Sequence, residues 1–153
     1  MKYLFIIAIL FLVGCSSAKK DPMEPFAKYT GKWQEYEIVN GKEKKAMIWE
    51  GKLDKGLYTV TVKTPQQTIV WAYRFDQEKK LYIASTEFKD YKAEMKGTFD
   101  AQKDTFHFKG KDTLDNKFEF FYIYKDKRAW LKGKVTTKDG KVFQSNKVSD
   151  PLK

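Results

Sequence analysis

Along most of the chain, apolar and polar residues alternate one for one in short runs. Tyr91, Ala93, Met95, Gly97 and Phe99 alternate with Lys92, Glu94, Lys96 and Thr98, and Phe106, Phe108 and Gly110 alternate with Thr105, His107, Lys109 and Lys111. Met47, Trp49, Gly51 and Leu53 oppose Ala46, Ile48, Glu50 and Lys52 in the same way; Tyr58, Val60 and Val62 oppose Thr59, Thr61 and Lys63. Successive strand side chains point to opposite faces, so this period of two predicts antiparallel sheet with one dry and one wet face. Asn40-Gly41, Asp54-Lys55-Gly56 and Lys138-Asp139-Gly140 supply residues that tolerate positive φ, as tight hairpins require. Between such breaks the pattern predicts strands over 32–39, 44–53, 57–63, 67–75, 81–87, 91–99, 105–111, 117–124, 128–137 and 141–148. No helical period persists beyond a turn or two. Runs 67–75 and 117–124 are apolar on both faces, which implies contact beyond the sheet itself.

Hairpin-connected strands with one wet face close most economically into a barrel, because closure removes exposed edges. The expected fold is therefore all-β: one antiparallel up-and-down β-barrel of about 8–10 strands over residues 26–153.

The first residues follow a different pattern. Lys2 gives a positive start, and Leu4 to Val13 form an apolar run of ten residues. A bilayer-spanning helix needs about 20, so the run fits an export signal. It ends in Leu12-Val13-Gly14-Cys15, which resembles the lipobox of bacterial lipoproteins. The resemblance implies a leader over 1–14, cleaved after Gly14, and a diacylglyceryl group on the Cys15 thiol. Several acyl chains, at about 0.8 kcal/mol per buried CH₂, make such an anchor effectively permanent. Cys15 is the only cysteine, so its lipidation leaves neither a free thiol nor a disulfide. Ser16 stands where an inner-membrane retention signal typically carries Asp, and the resemblance then implies an outer-membrane lipoprotein facing the periplasm. Residues 15–25, with Pro22 and Pro25 among small polar residues, read as the lipidated Cys and a flexible tether.

A second resemblance lies at the head of the first strand. Phe26-Ala27-Lys28-Tyr29-Thr30-Gly31-Lys32-Trp33-Gln34-Glu35 resembles the lipocalin opening, a short turn followed by Gly-x-Trp-x-Glu. It implies that Trp33 plugs the closed end of the barrel and that Gly31 lets the preceding segment pass tightly beneath. Arg128 stands for the arginine that packs on this Trp in the family. Asp90-Tyr91 matches part of the family's second motif, with Lys89 in place of Thr. Ten strands in place of eight move the resemblance toward the wider calycin superfamily, which includes fatty-acid-binding proteins.

The formal net charge of +10 changes the picture little. Nearly all the cations are lysines, set singly on the wet face and in turns among acids; the only arginines are Arg74 and Arg128. Nucleic-acid sites favour Arg and clustered basic stripes, so no nucleic-acid partner is expected. A solvated exterior and attraction to anionic lipid both remain open.

No catalytic centre is legible. His107 is the only histidine and shares parity with Thr105 and Lys109 on the wet face, a poor setting for a haem ligand. One His and no available Cys leave only carboxylates for a metal, so neither metal nor cofactor is expected, and the chain does not read as an enzyme. Glu35 and Glu37 share parity with Trp33; they point inward as an acid pair, or a bulge turns them outward. Arg74, within Ile69-Val70-Trp71-Ala72-Tyr73-Arg74-Phe75, has two readings: an inward bidentate anchor for a carboxylate, or an outward cation whose stem covers apolar surface.

Aromatic residues make up 16% of the chain. Trp71, Tyr73, Met95, Phe106, Phe108, Phe118, Phe120 and Tyr122, with Arg74, are the candidate ligand-binding set. They line a cavity for an apolar or amphipathic, lipid-like molecule, or they fill the barrel completely. The first case gives a carrier or sensor anchored at the cell envelope, the second a solid envelope module that engages a protein partner.

Overall fold

The computed structural model describes residues 20–153. The expected leader over 1–14, the expected lipidation site Cys15 and the first part of the expected tether lie outside the described residues. Ten strands follow one short 3₁₀ turn, Glu24–Tyr29: β1 Gly31–Val39, β2 Lys42–Asp54, β3 Leu57–Lys63, β4 Thr68–Asp76, β5 Leu81–Phe88, β6 Tyr91–Asp100, β7 Thr105–Asp112, β8 Lys117–Lys125, β9 Arg128–Thr136 and β10 Val142–Pro151. Each strand pairs antiparallel with its neighbours in sequence, and β1 pairs with β10 to close the barrel. The architecture is the expected up-and-down barrel; β3 has the expected bounds, and no strand end differs from the expected one by more than three residues.

Turn chemistry accounts for the short connections. Asn40 and Gly41 take φ of 51° and 75°, and Lys55 and Gly56 take 45° and 78°. Those left-handed pairs match the twist of the strands they join. Asp126 and Lys127 make the same kind of turn at 55° and 60° with no glycine at all.

The register fixes which face is inside. Trp33 lies opposite Trp49, Tyr58 opposite Tyr73, Ala84 opposite Met95, and Phe108 opposite Phe120. Trp49, Tyr58, Met95 and Phe108 belong to the faces that the alternation assigns to the core. An irregularity between Gln34 and Tyr36 puts one extra residue into β2. Gln34 fills it, donating from Nε2 to the carbonyls of Glu35 (2.9 Å) and Met47 (3.0 Å). This outward-facing amide is consequently buried.

The 3₁₀ turn closes one end of the barrel. Phe26 stacks between Tyr58 and Phe106, with ring centroids 4.7 and 4.3 Å away. The Tyr29 carbonyl accepts from Tyr58 Oη at 3.0 Å and from Trp33 Nε1 at 3.2 Å. Tyr82 Oη donates to the Pro22 carbonyl at 2.6 Å, Met23 is buried, and Lys28 pairs with Asp104 in the β6–β7 turn. Burying a side chain such as Phe26 contributes about 1.5–3 kcal/mol, which fixes the plug in place. The tether expected over 15–25 is corrected here: its last residues, from Asp21, are part of the folded barrel. The two prolines punctuate a plug and not a flexible spacer.

The closed-end roles differ in detail from the lipocalin pattern. Gly31 has φ of +99° and open space where a Cβ would stand, so conformation and not a tight passage requires glycine. The tight passage is at Gly51, opposite it in the register, where a Cβ would overlap the Tyr29 carbonyl and the Tyr58 hydroxyl. Trp33 is buried at this end and stacks on Trp49. Arg128 packs over Trp130, not Trp33, and chelates Asp150 (2.6 and 3.1 Å) and Glu43 (2.8 and 2.9 Å) on the outer wall. That clamp straddles the seam where β10 meets β1.

Candidate functional site

The barrel is solid at the plugged end and hollow toward the other. Phe106, Phe108 and Met95 are 0%, 0% and 1% exposed. Further along the same inner face Val60, Val62, Trp71, Phe118, Phe120 and Leu131 are only half-buried, because nothing fills the space between them. The result is a cup about 210 Å³ in volume.

Its floor and one wall are aromatic: Phe26, Tyr29, Tyr58, Trp71, Tyr73, Phe106 and Tyr122. The opposite wall, from β1, β2 and β10, is polar. Glu35 points inward and accepts from Lys147 Nζ at 2.8 Å, with side chains 10% and 25% exposed. Trp49 Nε1 donates to Ser149 Oγ at 3.0 Å beside them. Tyr73 and Tyr122 share a hydroxyl–hydroxyl contact of 3.3 Å, and burial raises both phenols above their ordinary range. Burial likewise raises Tyr29 and Tyr58. Every phenol of the floor is therefore neutral at physiological pH. An apolar enclosure with a few convergent polar groups is the usual form of a small-molecule site.

Four of the expected ligand-binding residues, Trp71, Tyr73, Phe106 and Tyr122, line the cup. Phe118 and Phe120 face the same way nearer the mouth, their rings 5.9 Å apart. Met95 and Phe108 do not line it; both are fully buried on the β6–β7 side of the barrel, where Phe108 packs edge-on against Tyr73 and Tyr122. Arg74 is exposed on the outer wall, where it lies opposite Ile83 in the register. The inward reading of Arg74 is thus corrected: Tyr73 and Phe75 point in, and strict alternation sends Arg74 out.

Glu35 belongs to the inward alternative of the sequence reading, but its partner is an ammonium and not a second acid. Lys147 escaped sequence reasoning altogether. On β10 the apolar Val148 faces outward, flanked by Tyr36 and Trp130, while Lys147 and Ser149 face the lumen. Polarity alternates there in the opposite sense to the other strands. The one available signal was parity with Trp33, carried across β1 by the pairing of Glu37 with Lys147 and Glu35 with Ser149.

Outside the barrel, His107 stacks on Phe121 at 4.2 Å, and its Nε2 lies 3.1 Å from Glu119 Oε1. Glu119 also receives Lys109 at 3.0 Å and Lys134 at 3.3 Å, and the hydrogen bond from Lys109 leads in holding its carboxyl down at about 2. A hollow of about 880 Å³ spreads over the outer faces of β4 to β7 between Lys92, Lys96, Lys111, Glu87 and Glu94. It is open to solvent, and Lys92 and Glu87 pair within it at 2.7 Å. The cup is the better site because it is the more enclosed of the two and its lining is the more apolar. Among the described residues no three His, Asp or Glu side chains gather to hold a metal. No protein-family model and no curated protein matches the chain.

Proposed function

We propose that the chain is an exported lipoprotein, anchored through lipid on Cys15, whose barrel holds a small apolar or amphipathic molecule as a carrier or sensor in the cell envelope. The observation that carries this reading is the cup: aromatic on one side, hydrogen-bonding on the other, and open at one end only. A core needed for stability alone would be packed throughout, as the plugged half is. The lipobox-like run before Cys15 supports the anchor, and the Gly31-x-Trp33 opening with a plugged barrel supports calycin kinship.

Size bounds the occupant. A cavity of about 150 Å³ takes benzene. The cup, at about 210 Å³, takes a molecule little larger than a single ring, or the end of a chain whose remainder leaves by the mouth. The chain reaches the barrel at the plug, so an anchor on Cys15 holds the plugged end toward the membrane, and the mouth faces away from it.

Native mass spectrometry of the full chain, extracted from cells in mild detergent, tests both parts. The wild type is expected to carry a diacylglyceryl increment on Cys15 and a substoichiometric small molecule released on activation. Cys15→Ala is expected to lose the first and keep the second. Wild-type protein with an unmodified Cys15 overturns the anchor. Protein that carries no small molecule, and takes up none of a panel of apolar probes, overturns the carrier reading and leaves the solid envelope module.

A further inference from the structure

Glu35 and Lys147 both line the cup, and their hydrogen-bonding capacity is only partly spent. Lys147 Nζ carries three N–H bonds and uses one of them on Glu35 Oε1. Glu35 Oε2 accepts from none of the described residues. Among those residues Tyr29 Oη is the side-chain polar atom that is both closed off and unpartnered, so the free Glu35 oxygen is open. The two side chains keep 10% and 25% of their surface accessible, and the space they line is the cup. Burial leads in raising the Tyr122 phenol on the aromatic side, and the charge of Glu35 adds to that rise, as a carboxylate turned toward the lumen would. The wall therefore presents an unspent donor beside an unspent acceptor.

Each half of the pair limits what the other takes. A carboxylate brought to Lys147 sits beside the Glu35 carboxylate, and an ammonium brought to Glu35 sits beside Lys147. Like charges held close in an enclosed site repel strongly. A neutral group that accepts from Lys147 and donates to Glu35 meets neither penalty. A carboxamide carries both functions on one flat unit, in its carbonyl oxygen and its N–H.

From this geometry we infer that the polar wall recognises a neutral carboxamide. Its carbonyl accepts from Lys147 Nζ, its N–H donates to Glu35 Oε2, and its body, about one ring in bulk, lies on the aromatic side beside Tyr58 and Trp71. This inference rests on the cup being a ligand site, and it names the chemical class that the site prefers.

Fluorine NMR of the full chain with 4-fluorobenzamide, 4-fluoroacetophenone, 4-fluorobenzoate, 4-fluorobenzamidinium and 4-fluorotoluene tests it. The amide, the ketone and the two ions share one planar shape and differ in charge and in the donor. Wild-type protein is expected to bind the amide about tenfold more tightly than the ketone, which keeps the acceptor and lacks the N–H; that is the effect of one hydrogen bond to a charged group. Both ions are expected to bind at least tenfold more weakly than the amide. Glu35→Leu combined with Lys147→Met replaces the pair by apolar side chains, an exchange that folds commonly tolerate. This double variant is expected to bind the toluene as wild type does and the amide no more tightly than the ketone. Equal binding of ketone and amide by wild type overturns the inference, and so does an ion that binds as tightly as the amide. A double variant that still prefers the amide overturns it too. The cup stands as a ligand site in each of these cases, and the wild-type comparison decides the matter even where the double variant fails to fold. Failure of all the probes to bind wild type overturns the ligand site and this inference together.

Discussion

Trp33 and Trp49 stack face to face across the β1–β2 pair, their rings 5.2 Å apart and 7° from parallel. Trp33 belongs to the plug through its bond to the Tyr29 carbonyl, whereas Trp49 belongs to the cup through its bond to Ser149. The pair is the joint between the half of the barrel that is solid and the half that is hollow. Trp33→Ala is expected to destabilise the domain by about 3–5 kcal/mol, the usual cost of truncating a buried aromatic. Urea denaturation followed by far-ultraviolet circular dichroism measures it; an unchanged midpoint removes Trp33 from the plug.

Gly31 and Gly51 face each other in the register yet serve different ends. At Gly31 only the positive φ opposes a side chain, so Gly31→Ala is expected to cost about 1–2 kcal/mol. At Gly51 an added methyl meets the carbonyl to which the plug is fastened, and Gly51→Ala is expected to cost clearly more than Gly31→Ala and to loosen the 3₁₀ turn. Amide hydrogen exchange at Phe26 and Thr30 reports the loosening. Equal costs with an intact plug contradict the assignment of the close approach to Gly51.

On the polar wall, Lys147→Met leaves the Glu35 carboxylate nearly buried and alone. A loss of about 1–3 kcal/mol is expected from an uncompensated group of this kind. Adding Glu35→Gln removes the stranded charge and recovers much of the loss. A double-mutant cycle in thermal denaturation separates the two, and simple additivity argues against a pair acting as a unit.

Glu119 sets a pH dependence on the outer wall. Its carboxyl sits at about 2 against an ordinary 4.5, held there chiefly by hydrogen bonds from Lys109 and His107. A depressed carboxylate contributes stability that is complete above its unfolded value and is lost as pH falls toward the folded one. Between about pH 4.5 and 2 the wild type is therefore expected to lose stability faster than Glu119→Gln. The gap between them, open at pH 7, closes near pH 2. Parallel denaturation midpoints across that range would show that the cluster contributes nothing.

The barrel was legible because most strands obey a single rule, polar out and apolar in, and because glycine and aspartate mark the turns. Reading failed where another constraint overrode that rule. Met23 lies in a proline-bearing stretch that looks like a spacer, and only its burial in one cluster with Phe26, Tyr58, Tyr82 and Phe106 shows it to be core. Lys147 is an ammonium on an inner face, tolerated because Glu35, more than a hundred positions away in sequence, comes to meet it. Arg74 was ambiguous by composition and settled by parity. The aromatic set named the correct face of the barrel. Position around the barrel, which the alternation does not report, separates Phe108, packed against Tyr73 and Tyr122, from Trp71 at the cup.

The seam between β1 and β10 also dictates an order of events. The first strand keeps an open edge until the last one arrives, and Leu152 N closes the ladder onto the Lys32 carbonyl at 2.8 Å. Until β10 joins, the other nine strands can form only a sheet with two bare edges. Such edges template pairing with other chains, and contacts so distant in sequence form slowly. A chain cut short before Val142 is therefore not a slightly smaller barrel but an open sheet prone to stick to its own copies.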